Sequence, residues 1–315
     1  MRERDCFEKN LEVIGEYPDY DLRSGAYDYK FKLKTLPSEH LTERDVCLLS
    51  SLPVMIARSL YKSFLCKEGV ASIVKEYFLK ESNITACLEA NPASDTMLRW
   101  IYYGINDRPI DKYYYESMAA NSLRNRLEAV KHHMVNILVD LGLKNESGLV
   151  LNLGSGSAGD VGAVAGDFPF VTFKNIDTDP KAIDEGKNML GDNPPENIIW
   201  KKKDILKLED RKNADFGLLI GILCPMDGRN VSVFMRKMKK YFKPGARILA
   251  ATLLEKQLEK DYFLSWLLKQ TTGWKLDYKP PGYLEEVCKK IGLETVNTYH
   301  EEDTEFYDIL DLRVT

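Results

Sequence analysis

The stretch Leu149-Val150-Leu151-Asn152-Leu153-Gly154-Ser155-Gly156-Ser157-Ala158-Gly159-Asp160 decides the fold of this chain. It begins with an apolar run suited to a strand buried on both faces, continues into a glycine-rich loop and ends in small residues that can start a helix. The glycines fit G-x-G-x-x-G, in which glycine tolerates positive φ and lets backbone N–H groups approach a ligand. This order of elements is typical of a nucleotide-binding site, although the motif alone also fits ordinary turns.

The residues that follow alternate between apolar runs and helical patterns. The alternation predicts an α/β fold with a Rossmann-like, doubly wound, mostly parallel seven-stranded sheet. Strands are expected at 149–153, 170–176, 197–200, 216–222 and 247–252, and helices at 181–190, 231–242 and 283–291. Two last strands, 293–300 and 306–314, flank an acidic turn that we interpret as solvated, and so short a connection must join them antiparallel.

The residues before 111 show mainly helical patterns and no alternation of strands and helices. A strictly alternating segment at 26–34 predicts a half-buried strand, and helical patterns cover 42–65, 69–80 and 95–103. A further helical pattern runs over 110–143 with an interruption near 119–121. We therefore predict two domains, a mainly helical one at 1–110 and the Rossmann-like one at 111–315.

Composition narrows the classes of function. The chain has 315 residues, 44% of them apolar, and a formal net charge of -4, with Lys201–Lys203 as its longest basic run. Nucleic-acid binding is therefore disfavoured. The six cysteines lack the paired short spacings of a zinc site, so free thiols and no metal site are expected. No apolar run approaches the ~18 residues of a membrane span, and a cytoplasmic location is expected.

Carboxylates follow two of the expected strands. Asp177 ends the second strand, where it can accept hydrogen bonds from two ribose hydroxyls, and Asp204 follows the third, where it can accept from an adenine amino group. With the glycine loop, the turn at 243–246 and the closing hairpin, this set resembles the class I S-adenosylmethionine-dependent methyltransferase family. The resemblance covers about residues 111–315.

The resemblance implies a set of cofactor contacts. The amino-acid part of S-adenosylmethionine would pack against the loop, Thr178 would lie against the adenine, the Ile205 backbone would read the adenine edge, and Gly221 and Ile222 would line the floor beneath the methyl group. Tyr115, with Arg124 or Arg126, would cover the cofactor's carboxylate as part of a lid, to which the helical first third would belong. The full cofactor set is Asn152, Gly154, Ser155, Gly156, Asp177, Thr178, Asp204, Ile205, Gly221, Ile222, Tyr115 and Arg124.

Two positions depart from the family pattern. Asn152 stands where the family usually has an acidic residue, and Ala158 replaces a glycine of the loop. Asparagine can accept a hydrogen bond from the cofactor's ammonium group, but without the charge-assisted part of that contact. We therefore expect weaker cofactor binding.

The sequence does not single out a catalytic residue, because methyl transfer depends mainly on alignment and on exclusion of water. Candidates are Tyr115, His133 and Asp227. Each has a structural alternative: a core aromatic for Tyr115, a partly exposed helix surface for His133 and a helix N-cap for Asp227. The loop Cys224-Pro225-Met226-Asp227 also departs from the N/D-P-P-Y signature of enzymes that methylate planar nitrogens.

The leading hypothesis is a methyltransferase that acts on a small molecule by in-line transfer. Three alternatives stay open: transfer of the aminocarboxypropyl arm as in nicotianamine-type synthases, a non-catalytic S-adenosylmethionine-binding protein, and an NAD oxidoreductase. The expected partner is a small-molecule substrate, with no nucleic acid and no membrane, and a homodimer is left open.

Overall fold

A computed structural model describes residues 11–16, 29–33, 75–76, 78–90, 94–104, 108–208, 213–272, 274 and 276–315. It divides the chain into two compact units, Met1–Ala120 with Leu258–Lys275, and Asn121–Gln257 with Leu276–Thr315. The helix expected at 42–65 lies outside the described residues. The division at residue 110 stays a prediction.

The helices of the described residues match most of the expected ones. They are α1 (Asn83–Ala90), α2 (Asp95–Tyr103), α3 (Pro109–Glu116), α4 (Met118–Asp140), α5 (Gly159–Val164), α6 (Pro180–Met189), α7 (Gly228–Met238), α8 (Lys256–Lys260), α9 (Tyr262–Thr272) and α10 (Tyr283–Lys290). The break expected near 119–121 falls instead at Ser117, whose Oγ accepts a hydrogen bond from Ala120 N at 3.1 Å. A serine that caps a helix start ends the preceding helix there.

The first unit joins its helices by buried polar contacts. Asp111 of α3 is fully buried, and its Oδ1 accepts from Ser82 Oγ at 2.7 Å and from Ile84 N at 3.0 Å at the start of α1. Tyr114, on the same helix, packs edge-on against Phe78 with ring centroids 6.0 Å apart. Strands β1 (Leu11–Glu16) and β2 (Tyr29–Leu33) pair antiparallel in this unit, which confirms a strand within 26–34.

The second unit contains the seven-stranded sheet. Its strands are β3 (Gly148–Leu153), β4 (Val171–Asp177), β5 (Ile198–Lys202), β6 (Ala214–Leu219), β7 (Phe242–Leu253), β8 (Leu293–His300) and β9 (Tyr307–Val314). They lie in the order β5-β4-β3-β6-β7-β9-β8, and β9 runs antiparallel to both neighbours while the other pairs are parallel. The structure confirms the predicted fold class.

Strand β3 is buried on both faces, as its apolar run predicts. Leu151 and Leu153 belong to a core cluster that contains Met235 of α7 and Leu284 of α10. Val150 belongs to a second cluster with helices α4 and α5. The central strand is thus covered by helices on both sides, and the loops at its carboxyl end lie between the two layers.

Two strand boundaries differ from the expected ones. The apolar run at 216–222 predicts a strand that extends to residue 222. Strand β6 ends at Leu219 instead, because Gly221 at φ 84° turns the chain away from the strand. Strand β7 begins at Phe242, earlier than expected, but the residues expected as a turn at 243–246 form an irregularity in its pairing with β6: Ala214 pairs with Phe242 and Phe216 with Arg247, and Gly245 has φ 81°. The end of β6 depends on glycine backbone geometry, which an apolar pattern does not encode.

The acidic turn between β8 and β9 is not uniformly solvated, which corrects the expectation for Glu301. Glu301 is 1% exposed, and its carboxylate accepts from Phe306 N at 2.6 Å and Tyr307 N at 3.0 Å and contacts Thr304 Oγ1. Burial raises the pKa of this carboxyl, against the lowering effect of these hydrogen bonds. Glu301 therefore closes the turn from inside.

Replacing Asp311 by asparagine should destabilise the second unit by about 3–5 kcal/mol, because it leaves the buried Arg247 guanidinium without its counter-charge. Arg247 Nε donates to Asp311 Oδ1 at 2.7 Å, and both side chains are buried. Glu294→Gln is the matched control, since Glu294 pairs with Arg313 at 3.3 Å on the exposed side of the hairpin. That control should cost less than about 1 kcal/mol. Urea titration measures both, and equal losses would contradict the assignment.

Replacing Gly186 by alanine should destabilise the protein by roughly 1–3 kcal/mol through overpacking. A Cβ at this position of α6 would lie 2.3 Å from Trp200 Cη2 and 2.6 Å from the carbonyl oxygen of Ser157 in the glycine loop. At Gly166, a Cβ would meet nothing within 4 Å. Gly166→Ala is thus the control, and it should shift the unfolding midpoint little; a Gly186→Ala variant as stable as this control would refute the packing argument.

Candidate functional site

The glycine loop after β3 is tied to the end of β4. The backbone N–H groups of Gly154 and Ser155 both donate to the Ile176 carbonyl oxygen, at 2.9 and 3.1 Å. Gly154 and Gly156 have φ of 69° and 52°, a conformation that favours glycine. Ala158 adopts the same region at φ 49°, where an L side chain is strained. The loop is thus held in a fixed shape at the point where strand order reverses between β3 and β6.

Asp177 accepts two backbone hydrogen bonds that shape this site. Its Oδ2 accepts from Gly156 N at 2.8 Å, and its Oδ1 accepts from Asp179 N at 2.9 Å. The side chain is only partly buried. Each carboxylate oxygen has a second lone pair, so Asp177 can orient the loop and still accept from a pair of hydroxyls.

The end of β5 presents the second carboxylate. Asp204 is partly exposed, and its Oδ1 accepts from Leu206 N at 2.9 Å. Ile205 is buried, and its carbonyl oxygen accepts from the Tyr241 hydroxyl at 3.1 Å, which fixes the backbone beside Asp204. Thr178, at the end of β4, is exposed. These residues follow one another along the carboxyl edge of the sheet.

The loop after β6 forms the opposite wall. Residues 220–222 are partly exposed, and the Ile222 side chain lies against Gly154, where a Cβ would be 2.9 Å from Ile222 Cδ1. The structure therefore brings the glycine loop into contact with the segment expected to form the floor beneath the methyl group. Glycine at 154 also has a packing reason, since a larger residue would displace Ile222.

Asn152 does not stand alone at the end of β3. It is buried, and its Nδ2 lies 3.2 Å from Asn175 Oδ1 on β4 and 3.4 Å from Asp160 Oδ1 on α5. The sequence did not identify Asp160 as a candidate site residue, although it belongs to the glycine-rich stretch. Its position directly after Gly159, in the first turn of α5, is the signal that could have identified it as one.

Three further candidates make contacts outside the glycine loop and the ends of β4 and β5. Tyr115 is half-buried in the first unit, and Arg124 of α4 donates to Asn121 one turn earlier. Asp227 is exposed and caps α7 by accepting from Asn230 N at 2.9 Å, which confirms the N-cap alternative. Roles for Tyr115 and Arg124 in cofactor binding stay predictions.

His133 packs against the edge of the sheet. Its ring stacks on Tyr299 of β8 with centroids 3.5 Å apart and an interplanar angle of 10°. Burial and the neighbouring His132 lower the pKa of His133, while Asp311 raises it. The partly exposed helix surface expected as an alternative is confirmed, and a role as a base stays a prediction.

Arg126 of α4 is a buried cation that lies beside the loop after β6. Its guanidinium nitrogens are 3.9 and 4.0 Å from the place where a Cβ on Gly221 would lie. The same guanidinium lies 4.7 Å from the centroid of the Tyr307 ring, and the residue is 3% exposed. The sequence offered Arg126 only as the alternative to Arg124.

The described residues fit an adenosyl ligand at this edge. Asp177 and Asp204 are two partly exposed carboxylates, which are suitable acceptors for the hydrogen-bond donors of a nucleoside. The buried Asn175 Nδ2 has no hydrogen-bond partner among the described residues. An unsatisfied buried donor next to such a loop is consistent with a ligand-binding role.

Three further observations concern the described residues alone. None of their helices has both the length and the apolar character needed to cross a membrane. None of their His, Cys, Asp and Glu side chains form a group of three or more that could hold a metal ion. The three described cysteines, Cys87, Cys224 and Cys288, are free thiols.

No protein-family model and no curated protein sequence matches the chain. Solved structures do match its fold. A possible exported protein from Bordetella parapertussis is 17% identical with a TM-score of 0.65, over 89% of this chain and 99% of that one. Magnesium protoporphyrin IX methyltransferase from Synechocystis PCC 6803, solved with bound S-adenosylhomocysteine, is 14% identical with a TM-score of 0.55, over 74% of this chain and 100% of that one.

The same methyltransferase solved with bound S-adenosylmethionine is 13% identical to this chain, with a TM-score of 0.51 over 74% of this chain and 98% of the other. In this chain the seven strands have the order β5-β4-β3-β6-β7-β9-β8, with β9 antiparallel to β7. The chain therefore has the Rossmann-like fold of the class I S-adenosylmethionine-dependent methyltransferases.

Proposed function

We propose that this protein binds S-adenosylmethionine and transfers its methyl group to a small molecule. The observation that carries the proposal is the position of Asp177. Its carboxylate holds the glycine loop through Gly156 N at 2.8 Å and stays partly exposed at the edge where ligands of such sheets bind.

The adenosine half of the cofactor would be held by the ends of β4 and β5. Asp177 would accept from the two ribose hydroxyls through its remaining lone pairs. Asp204 would accept from the adenine amino group, and the Ile205 N–H would donate to the adjacent ring nitrogen. Thr178 would lie against the base. Tyr241 supports this arrangement because its hydroxyl fixes the Ile205 carbonyl at 3.1 Å.

The reacting end would lie over the loop after β6. When bound, S-adenosylmethionine would supply a methyl group on a positively charged sulfur for in-line transfer to an acceptor atom. Gly221 and Ile222 would hold the methyl group in place and exclude water on that side. Asp227 caps α7 and is exposed, so we assign catalysis to alignment and not to a dedicated base.

Two observations support a small acceptor. The net charge of -4 disfavours a polyanionic substrate such as nucleic acid. The methyltransferase with a similar fold is named for magnesium protoporphyrin IX, a small molecule. A homodimer, a lid formed with Tyr115 and Arg124, and a cytoplasmic location remain predictions.

Replacing Asp177 by alanine should weaken S-adenosylhomocysteine binding by about 10- to 100-fold, the effect of losing hydrogen bonds to a charged acceptor. Isothermal titration calorimetry on the full chain measures the affinity. Asp184→Ala is the control, since Asp184 lies on the exposed side of α6 and pairs with Lys187 at 3.7 Å. Unchanged affinity in the Asp177 variant would overturn the ribose assignment, and failure of the wild type to bind would overturn the proposed function.

Incubation of a metabolite extract with the protein and S-adenosylmethionine labelled in its methyl group should give a labelled small molecule that is neither the cofactor nor a breakdown product of it. Mass spectrometry identifies what the acceptor gained. One added labelled methyl group supports the proposal, whereas aminocarboxypropyl transfer would leave the label on methylthioadenosine and give an unlabelled product that has gained the cofactor's amino-acid arm. Label recovered in protein or nucleic acid would contradict a small acceptor, and binding without any transfer would indicate a non-catalytic protein.

A further inference from the structure

The segment that leads into α10, residues 277–283, runs along the loop after β6. Three backbone carbonyl oxygens at the far end of that loop accept hydrogen bonds from this one segment. The contacts are Asp277 N to Cys224 O at 2.9 Å, Lys279 Nζ to Met226 O at 2.6 Å and the Tyr283 hydroxyl to Gly228 O at 2.7 Å. Every second carbonyl of this part of the loop is therefore held by the 277–283 segment.

The same segment is attached to the sheet. Lys279 N donates to Leu253 O at the end of β7 at 2.9 Å, and Lys279 O accepts from Glu255 N at 2.9 Å. Gly282 N donates to Oδ2 of Asp308, a buried residue of β9, at 3.2 Å. Because β7 and β9 set the position of the segment, the segment can in turn set the position of the loop.

Lys279 is the central residue of this arrangement. It is 3% exposed, and its ammonium group contacts Asp277 Oδ2 at 2.9 Å as well as Met226 O. Burial of a charged side chain costs free energy unless the charge is paired and hydrogen-bonded, and an apolar side chain could fill the same space at less cost. The contacts of the ammonium group with the loop therefore explain a lysine here better than packing does.

The loop has little packing of its own to fix its conformation. Residues 225–227 are exposed or partly exposed, and they follow closely after Gly221 and Ile222, the expected floor beneath the methyl group. In a segment with few buried side chains, hydrogen bonds to the backbone carry more of the local stability. The Tyr283 contact also needs space, since a Cβ on Gly228 would lie 2.8 Å from the Tyr283 hydroxyl oxygen.

Methyl transfer depends on alignment, and a displacement of about 1 Å can lower the rate by about 100-fold. We propose that Lys279 is a positioning residue for the transfer step, which together with Tyr283 holds the loop after β6 in the conformation that aligns the methyl group with its acceptor. This inference rests on the proposed function. It separates alignment, set from the 277–283 segment, from cofactor affinity, which the proposed function assigns to the ends of β4 and β5.

Replacing Lys279 by methionine keeps an unbranched side chain and removes the ammonium group. With cofactor and metabolite extract both saturating, the rate of label transfer from methyl-labelled S-adenosylmethionine should fall by about 10- to 100-fold. Affinity for S-adenosylhomocysteine, measured by calorimetry, should stay close to that of the wild type. Lys290→Met is the control, since Lys290 of α10 is exposed and pairs with Glu286 at 3.9 Å, and it should change neither quantity.

Two results with Lys279→Met would overturn the inference. One is an unchanged rate at saturation, which would show that the loop does not need the ammonium group. The other is a loss of S-adenosylhomocysteine affinity as large as the loss of rate, which would show a general structural role and not one in alignment.

Replacing Tyr283 by phenylalanine removes the hydroxyl that donates to Gly228 O and should lower the saturated rate by about 3- to 10-fold. Because both side chains act through one loop, the double variant should lose less than the product of the two single losses. A loss equal to that product would show independent actions and contradict the shared role. If Lys279→Met does not fold, Tyr283→Phe decides alone, and an unchanged rate in this variant overturns the inference.

The wild type tests the proposed function separately. Wild-type protein that binds S-adenosylhomocysteine and transfers the label supports the proposed function whatever the variants do, so that the variants then test only the positioning role. Wild-type protein that transfers no label contradicts the proposed function and this inference together.

Discussion

The hydrogen bond from Gly156 N to Asp177 Oδ2, at 2.8 Å, is the contact on which the candidate site depends. It joins the loop after β3 to the end of β4, and the Ile176 carbonyl strengthens the junction by accepting from Gly154 and Ser155. Without it, the glycine loop would have the conformational freedom that makes glycine costly to order. With it, one carboxylate sets the loop and keeps lone pairs for a ligand. The same acid therefore serves fold and site.

The Arg247–Asp311 pair and Glu301 are buried charged groups of the second unit that find their partners within the protein. Arg247 and Asp311 neutralise each other between β7 and β9, and Glu301 closes its turn by accepting backbone N–H groups. Asp160 differs, because it shares a buried cluster with the unsatisfied Asn175 Nδ2. A protein of marginal stability retains such an arrangement when it serves function.

Much of the fold followed from pattern alone. The run at 149–153 predicted a doubly buried strand, and the short link after residue 300 predicted an antiparallel hairpin, because chain length leaves no other connection. The failures also have physical causes. The run at 216–222 overshot β6 because apolar residues continue after Gly221 turns the chain. The acidic turn was interpreted as solvated because composition cannot reveal that Glu301 accepts N–H groups inside the turn.

The sequence by itself determined the order of strands and helices, the glycine loop and the carboxylates at the ends of β4 and β5, because each is a local pattern with its own periodicity or backbone requirement. Only the tertiary structure decided that Asn152 would share a buried cluster with Asp160 and that Arg126 would lie beside Gly221. Residues far apart in the chain meet only after the helices pack on the sheet. Long-range packing, which no local pattern records, thus decided which charged side chains lie around the loop.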